Sequence, residues 1–225
     1  MGKTWSDFSG AEGTHEEVMR LLLKHLQPLT GRKLLEMPCG SGMFAKMMSD
    51  LGLDVTTMDI EANDPYHHIV ERRVLADANA GLPFADGEFE ALVSIEGIEH
   101  LENPSFFLRE CARVIRPGGH IFLSTPNVDS IKSRRHVYTK GYHRFFDPMD
   151  DHTKMSWHVH PIDMIFFKGA CRKAGLKILE VSVNRIHYKS WFEELTRAIL
   201  TRKLPPDMRG PIPYYGDTII YVLGK

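Results

Sequence analysis

The stretch Leu35-Glu36-Met37-Pro38-Cys39-Gly40-Ser41-Gly42-Met43-Phe44-Ala45 decides the fold. The run Lys33 to Met37 reads as a short buried strand, Cys39 to Gly42 as a turn, and Met43 to Leu51 as a helix that Gly52 ends. Glycines at such a turn let the backbone bend sharply and approach a ligand that a Cβ would repel. Working outward, further strands are predicted at Asp54 to Asp59, Val74 to Asp77, Ala91 to Ile95, His120 to Ser124, Leu176 to Val183 and Gly216 to Leu223. Thr14 and Glu17 have the spacing of a capping box, ahead of an apolar stripe at Val18, Leu21, Leu22 and Leu26. Helices are also predicted from Ser105 to Val114 and from Pro161, with Ile162, Ile165, Phe166 and Ala170 in helical period. Pro126 to His160 reads as irregular. Strand and helix in alternation predict a parallel sheet covered on both faces, with ligands at the carboxyl ends of its strands.

Composition narrows the class. Of 225 residues, 43% are hydrophobic and 25% charged, which is the balance of a globular chain and not of a disordered or collagenous one. No apolar run approaches the ~18 residues of a membrane span. Met1 to Asp7 shows no apolar signal segment, so a cytoplasmic protein is expected. Cys39, Cys111 and Cys171 lie far apart with no CxxC, which predicts reduced thiols and no structural zinc. Residues 1–128 carry 11 Lys and Arg against 19 Asp and Glu, a net −8, while residues 129–209 carry 16 against 9, a net +7. A basic second half points to an anionic ligand or surface, or to a solvated charged face.

The chemistry sits after the strands. Gly40-x-Gly42-x-x-Ala45, with Asp59 ending the next strand, fits the loose dinucleotide fingerprint. Glu36 does not suit a pyrophosphate, but it does suit an ammonium group. Asp59 can take two ribose hydroxyls, and Asp77-Ala78 stands where an adenine amino group could lie. An ammonium, a ribose and an adenine without phosphate describe S-adenosylmethionine (SAM).

Further motifs follow in order. They are Met58-Asp59-Ile60, Ala76-Asp77-Ala78, Leu82-Pro83-Phe84-Ala85-Asp86-Gly87-Glu88-Phe89-Glu90, Ile98-Glu99-His100-Leu101, Arg113-Val114-Ile115-Arg116-Pro117-Gly118-Gly119 and Ser124-Thr125-Pro126-Asn127. Together with the glycine turn they resemble the class I SAM-dependent methyltransferases, in the branch of the type 11 proteins and the ubiquinone-pathway O-methyltransferases. The resemblance implies a Rossmann-like α/β fold of seven strands, largely parallel, with an antiparallel last strand. It implies SAM as cofactor, held by Glu36, Pro38, Cys39, Gly40, Gly42, Asp59, Ile60, Asp77, Ala78, Ile95 and Glu96. Pro38 departs from the pattern, because a glycine usually stands there. In the ubiquinone-pathway relatives a matching E-x-x-E-H can hold a divalent cation such as magnesium, which would here be Glu96, Glu99 and His100. The alternative is a packing element at a helix start. His100, His143 and His158 are the candidate catalytic residues, as base or acceptor contact.

The whole chain is expected to be one methyltransferase domain. Residues 1–30 form a helical cap, 33–127 the SAM-binding core, and 128–160 and 187–215 substrate or lid insertions. The first insertion mixes Arg134, Arg135, His143 and Arg144 with aromatic residues, suiting phosphate, carboxylate or a sugar ring. Trp191, Phe192, Leu195, Ala198 and Ile199 make a helical stripe for core packing, a homodimer or peripheral membrane contact. The expected reaction is methyl transfer to a small-molecule or glycan acceptor, most simply on oxygen, with the acceptor anionic or lipid-linked. The Asn-Pro-Pro-aromatic motif of enzymes acting on nucleic-acid bases is absent, so no nucleic-acid partner is expected. Two alternatives stay open: an NAD-dependent oxidoreductase on a Rossmann sheet, and a non-catalytic SAM-binding protein.

Overall fold

The computed structural model describes residues 11–61, 70, 72–149, 158–185, 195, 199, 202 and 214–225. Seven strands form one sheet: β1 (Lys33–Glu36), β2 (Asp54–Asp59), β3 (Arg72–Leu75), β4 (Phe89–Ser94), β5 (Ile115–Pro126), β6 (Lys177–Val183) and β7 (Thr218–Gly224). Their spatial order is β3-β2-β1-β4-β5-β7-β6. β1 pairs in parallel with β2 and β4, β2 with β3, and β4 with β5. β7 runs antiparallel between β5 and β6. This is the Rossmann-like sheet with its antiparallel last strand. The chain leaves β1 toward β2 on one side and returns to β4 on the other, so a crevice opens where these strands end.

Side-chain alternation along the strands builds two cores. Leu35, Leu92, Ile121, Leu123, Ile219, Tyr221 and Leu223 face α3 (Pro104–Val114) and α5 (Met164–Lys173). Phe107, Leu108 and Phe167 pack on them, and the Phe167 ring stacks on Tyr221 at 4.0 Å between centroids. Leu34, Ala91, Val93, Phe122, Ile220 and Val222 face the other way, toward α1 (Thr14–His25) and α2 (Met43–Asp50). Val18, Leu22, Phe44 and Met48 cover them. Deep burial on both faces explains why β1, β4 and β5 read as near-continuous apolar runs.

Several expectations are corrected. Thr14 does not cap α1: Gly13 does, at φ 86°, with no side-chain cap bond. A Cβ on Gly13 would lie 2.7 Å from the carbonyl oxygen of Asn184, the residue after β6, so this close approach requires glycine. Glu17 bonds Arg20 instead and accepts from the Ser182 hydroxyl. β3 starts two residues early, at Arg72, and β5 starts at Ile115, where it pairs with Phe89. The span read as irregular contains a helix, α4 (Ile131–Lys140), capped by the Ser130 side chain and closed by Gly141 at φ 91°. α5 begins after Asp163, which accepts from the Phe166 N–H, and not at Pro161. The helical stripe at Trp191 to Ile199 lies outside the described residues, apart from the helical and exposed Leu195 and Ile199. Residues 1–10 of the expected cap and most of 187–215 also lie outside them. Among the described residues no helix is long and apolar enough to cross a membrane.

Candidate functional site

A cavity of about 720 Å³ opens at the carboxyl ends of β1, β2 and β4. Its floor is the glycine turn. The Cys39 N–H donates to the Met58 carbonyl and the Gly42 N–H to the Cys39 carbonyl, with Gly40 at φ 50° and Gly42 at φ 72°. Such positive φ values favour glycine. The Gly40 N–H donates to Asp59 Oδ2 at 2.9 Å, and the Glu61 N–H to Oδ1 at 3.1 Å. Each carboxylate oxygen of Asp59 therefore holds one backbone donor and keeps capacity for another. Asp77 accepts from the Asn79 N–H and so shapes the turn that brings Ala78 and Asn79 to the cavity.

Pro38 is matched from across the site. A Cβ on Gly97 would lie 2.4 Å from Pro38 Cδ, so the proline ring occupies room that only a glycine at position 97 leaves. The departure from the usual glycine at position 38 thus comes with a local accommodation.

Five acids line the cavity: Glu36, Asp59, Glu61, Asp77 and Glu96. No lysine or arginine does so among the described residues. Such a wall suits a cationic ligand and opposes a pyrophosphate. Pro38, Cys39, Gly40, Ile60, Ala78 and Ile95 also line it, whereas Gly42 stands behind as the cap of α2. The sequence reading missed His15, Phe44, Met58 and Asn79. His15 had a signal, since it stands three residues before Val18 on the buried stripe of α1. Burial pulls its imidazole down to about 4, and its ring meets Phe44 edge-on at 5.6 Å.

His100 and His158 meet in the cavity lining, their ring centroids 4.8 Å apart. His158 Nδ1 lies 2.8 Å from the Phe145 carbonyl, and its ring is 5.2 Å from Phe146. A carbonyl only accepts, so Nδ1 carries the proton and Nε2 is the basic nitrogen of the neutral ring. His143 is not part of this pair. It lies outside the cavity lining, half-buried, with Nδ1 3.2 Å from Ser133 Oγ, and burial lowers its pKa.

The E-x-x-E-H run does not converge as one ligand set. Glu96 sits at φ 49°, and its Oε1 accepts from the Ala11 N–H at 3.1 Å and the Thr218 hydroxyl at 3.0 Å. The groups that come together are Glu99, His100 and His158, with ligand atoms within 4.8 Å of one another. Glu99 is fully buried. Burial pushes its carboxyl up to about 8 and nearby Glu96 adds to this, against the pull of its own N–H and the Thr125 hydroxyl.

The expected anion patch is internally paired. Arg134 bonds Asp129 at 2.9 Å, Arg144 pairs with Asp217, and Lys132 reaches Asp217 at 3.5 Å. Only Arg135 of the named arginines is exposed without a described ion pair.

Fold and site together define the class I SAM-dependent methyltransferases. The methyltransferase-domain family matches residues 11–181, and the chain belongs to it. It is 30% identical over 136 residues to the ubiquinone biosynthesis O-methyltransferase of Pectobacterium atrosepticum, covering 55% of this chain and 56% of that one. It is 27% identical over 210 residues to the protein of that name from Acinetobacter baylyi, covering 83% and 81%. For most such relatives the match spans about half their length. A SAM-dependent methyltransferase from Archaeoglobus fulgidus shares the fold, with a TM-score of 0.61 at 18% identity, over 98% of this chain and 97% of that one. Family membership decides against the NAD-dependent oxidoreductase.

Proposed function

We propose that this chain transfers the methyl group of SAM to a hydroxyl oxygen of a small-molecule or glycan acceptor, with the His100–His158 pair taking the acceptor proton. The observation that carries the reading is one cavity whose described lining is acidic and without lysine or arginine, and which also holds two imidazoles in edge contact. SAM supplies, when bound, a methyl group already activated on a sulfonium. Glu36 would hold the ammonium end, Asp59 the ribose hydroxyls, and Asp77 with Ala78 the adenine edge. Ile60 and Ile95 would give apolar contact, and Cys39 and Gly40 close backbone approach. The remaining task is to align an acceptor hydroxyl with the methyl group and to remove its proton. His158 Nε2 is the base, and His100 packs against it. Residues 128–149 and 158–160 form the acceptor wall. Because Arg134 and Arg144 are paired within the chain, the acceptor need not carry negative charge.

The convergence of Glu99, His100 and His158 favours a second reading, in which these three would hold a divalent cation that would supply Lewis-acid activation of the acceptor hydroxyl. Glu99 must lose its proton for that, at a pKa of about 8. Methyl-labelled SAM with a panel of hydroxylated aromatics and sugars tests both readings. Label should reach an oxygen of the product, His158→Gln should lower turnover about 100-fold as for a lost general base, and chelator should leave the rate unchanged. Loss of turnover in chelator, restored by magnesium, supports the cation instead. SAM binding without transfer to any acceptor would indicate a non-catalytic binding protein.

A further inference from the structure

We infer that Arg144 is a positioning residue, which sets the tautomer of His158 by fixing the backbone carbonyl of Phe145. The inference rests on the reading of His158 as the base and concerns how that base is prepared.

Phe145 adopts φ 71°, a left-handed conformation that a bulky side chain enters only when its surroundings impose it. The surroundings are visible on both sides. The Arg144 guanidinium lies over the Phe145 ring, 4.6 Å from its centroid, and pairs with the Asp217 carboxylate. The Arg144 N–H donates to Ser133 Oγ, and the Phe146 N–H to the His143 carbonyl. Asp217 is itself fixed, because its N–H donates to Asn184 Oδ1 and its carbonyl accepts from the Asn127 N–H. Arg144 thus ties a strained residue of the acceptor wall to the start of β7.

The product of that strain is the Phe145 carbonyl, 2.8 Å from His158 Nδ1. A neutral imidazole keeps one proton and places it where an acceptor waits. Holding the carbonyl there assigns the proton to Nδ1 and leaves Nε2 to act as base. A lysine at position 144 could keep the charge but not the planar contact with the ring.

Long-range ¹H–¹⁵N spectra of the whole chain read the tautomer directly, with the His158 signals assigned by their loss in His158→Gln. The wild type should show a protonated Nδ1. Arg144→Met should shift the tautomer ratio about five- to tenfold toward Nε2–H, the worth of one neutral hydrogen bond, and Arg144→Lys should recover part of it. Asp217→Asn approaches the same anchor from the other side and should shift the ratio in the same direction if Arg144→Met does not fold. A wild-type tautomer in both Arg144→Met and Asp217→Asn overturns the inference and leaves His158 as base. A wild-type ring protonated on Nε2 overturns both. Turnover untouched in His158→Gln, with the tautomer responding as stated, removes the base and keeps the positioning.

Discussion

Glu99 and His15 flank the cavity as two buried titratable groups with opposite pH signatures. Glu99 titrates near 8 in the folded chain against an ordinary 4.5, so between these values unfolding releases a proton and stability falls as pH rises. His15 titrates near 4 against an ordinary 6.5, so between those values unfolding takes up a proton and stability falls as pH drops. The two slopes oppose each other from pH 4.5 to 6.5, and Glu99 alone acts from 6.5 to 8. Burial lowers the pKa of His120 and His143 as well, which adds to the His15 slope, so chemical denaturation should show no fall in stability as pH rises to 6.5, followed by a loss of about 2 kcal/mol up to pH 8. Glu99→Gln should abolish that loss and restore a rising slope from pH 4 to 6.5. An unchanged profile in Glu99→Gln would place its carboxyl near the ordinary range.

At the scale of elements, Arg113 on α3 joins the helix to the loop between β3 and β4. It donates to the carbonyls of Leu82 at 2.8 Å and Phe84 at 2.7 Å, and pairs with Asp86 and Glu110. Glu110 in turn accepts from the Leu82 N–H. Arg113→Ala leaves two carbonyls without their donor and should cost about 2–3 kcal/mol in urea unfolding, with Arg113→Lys recovering less than half. A cost below 0.5 kcal/mol, the scale of an ordinary surface pair, would show that the loop stands without this clamp.

Elements differ in how much of themselves they write into sequence. β1, α2 and β2 were legible because an apolar run, a glycine pair and a second apolar run follow one another without a break. α4 was not, because Ser133 is its only buried residue and a polar helix leaves no hydrophobic period to read. The capping box at Thr14 misled because Gly13 packs too close for any side chain to Asn184, a residue about 170 positions away in sequence. The same limit hid the histidine pair of the site. Glu36, Asp59 and Asp77 follow their strands directly, so their place in the crevice could be read. The meeting of His100 with His158, and the turning of Glu96 toward Ala11 and Thr218, depend on distant segments folding back.

Across the whole molecule, the charge asymmetry follows the placement of the crevice and of the ion pairs around it. Five of the acids in the negative half, Glu36, Asp59, Glu61, Asp77 and Glu96, line the crevice at the switch point of the sheet, where a cationic ligand would offset them. Among the described cations of the positive half, Lys132, Arg134 and Arg144 are held by Asp129 and Asp217. The fold therefore concentrates negative potential in the crevice and uses part of its positive charge to fix residues 129–144 to Asp129 and Asp217. Calorimetric titration of SAM into the wild-type chain and into Asp59→Ala tests this account most directly. It predicts saturable binding at one site per chain, weakened by about 1.5–3 kcal/mol in Asp59→Ala, as expected for lost hydrogen bonds to a charged group. No heat of binding with SAM, or equal affinity in the two proteins, would contradict it.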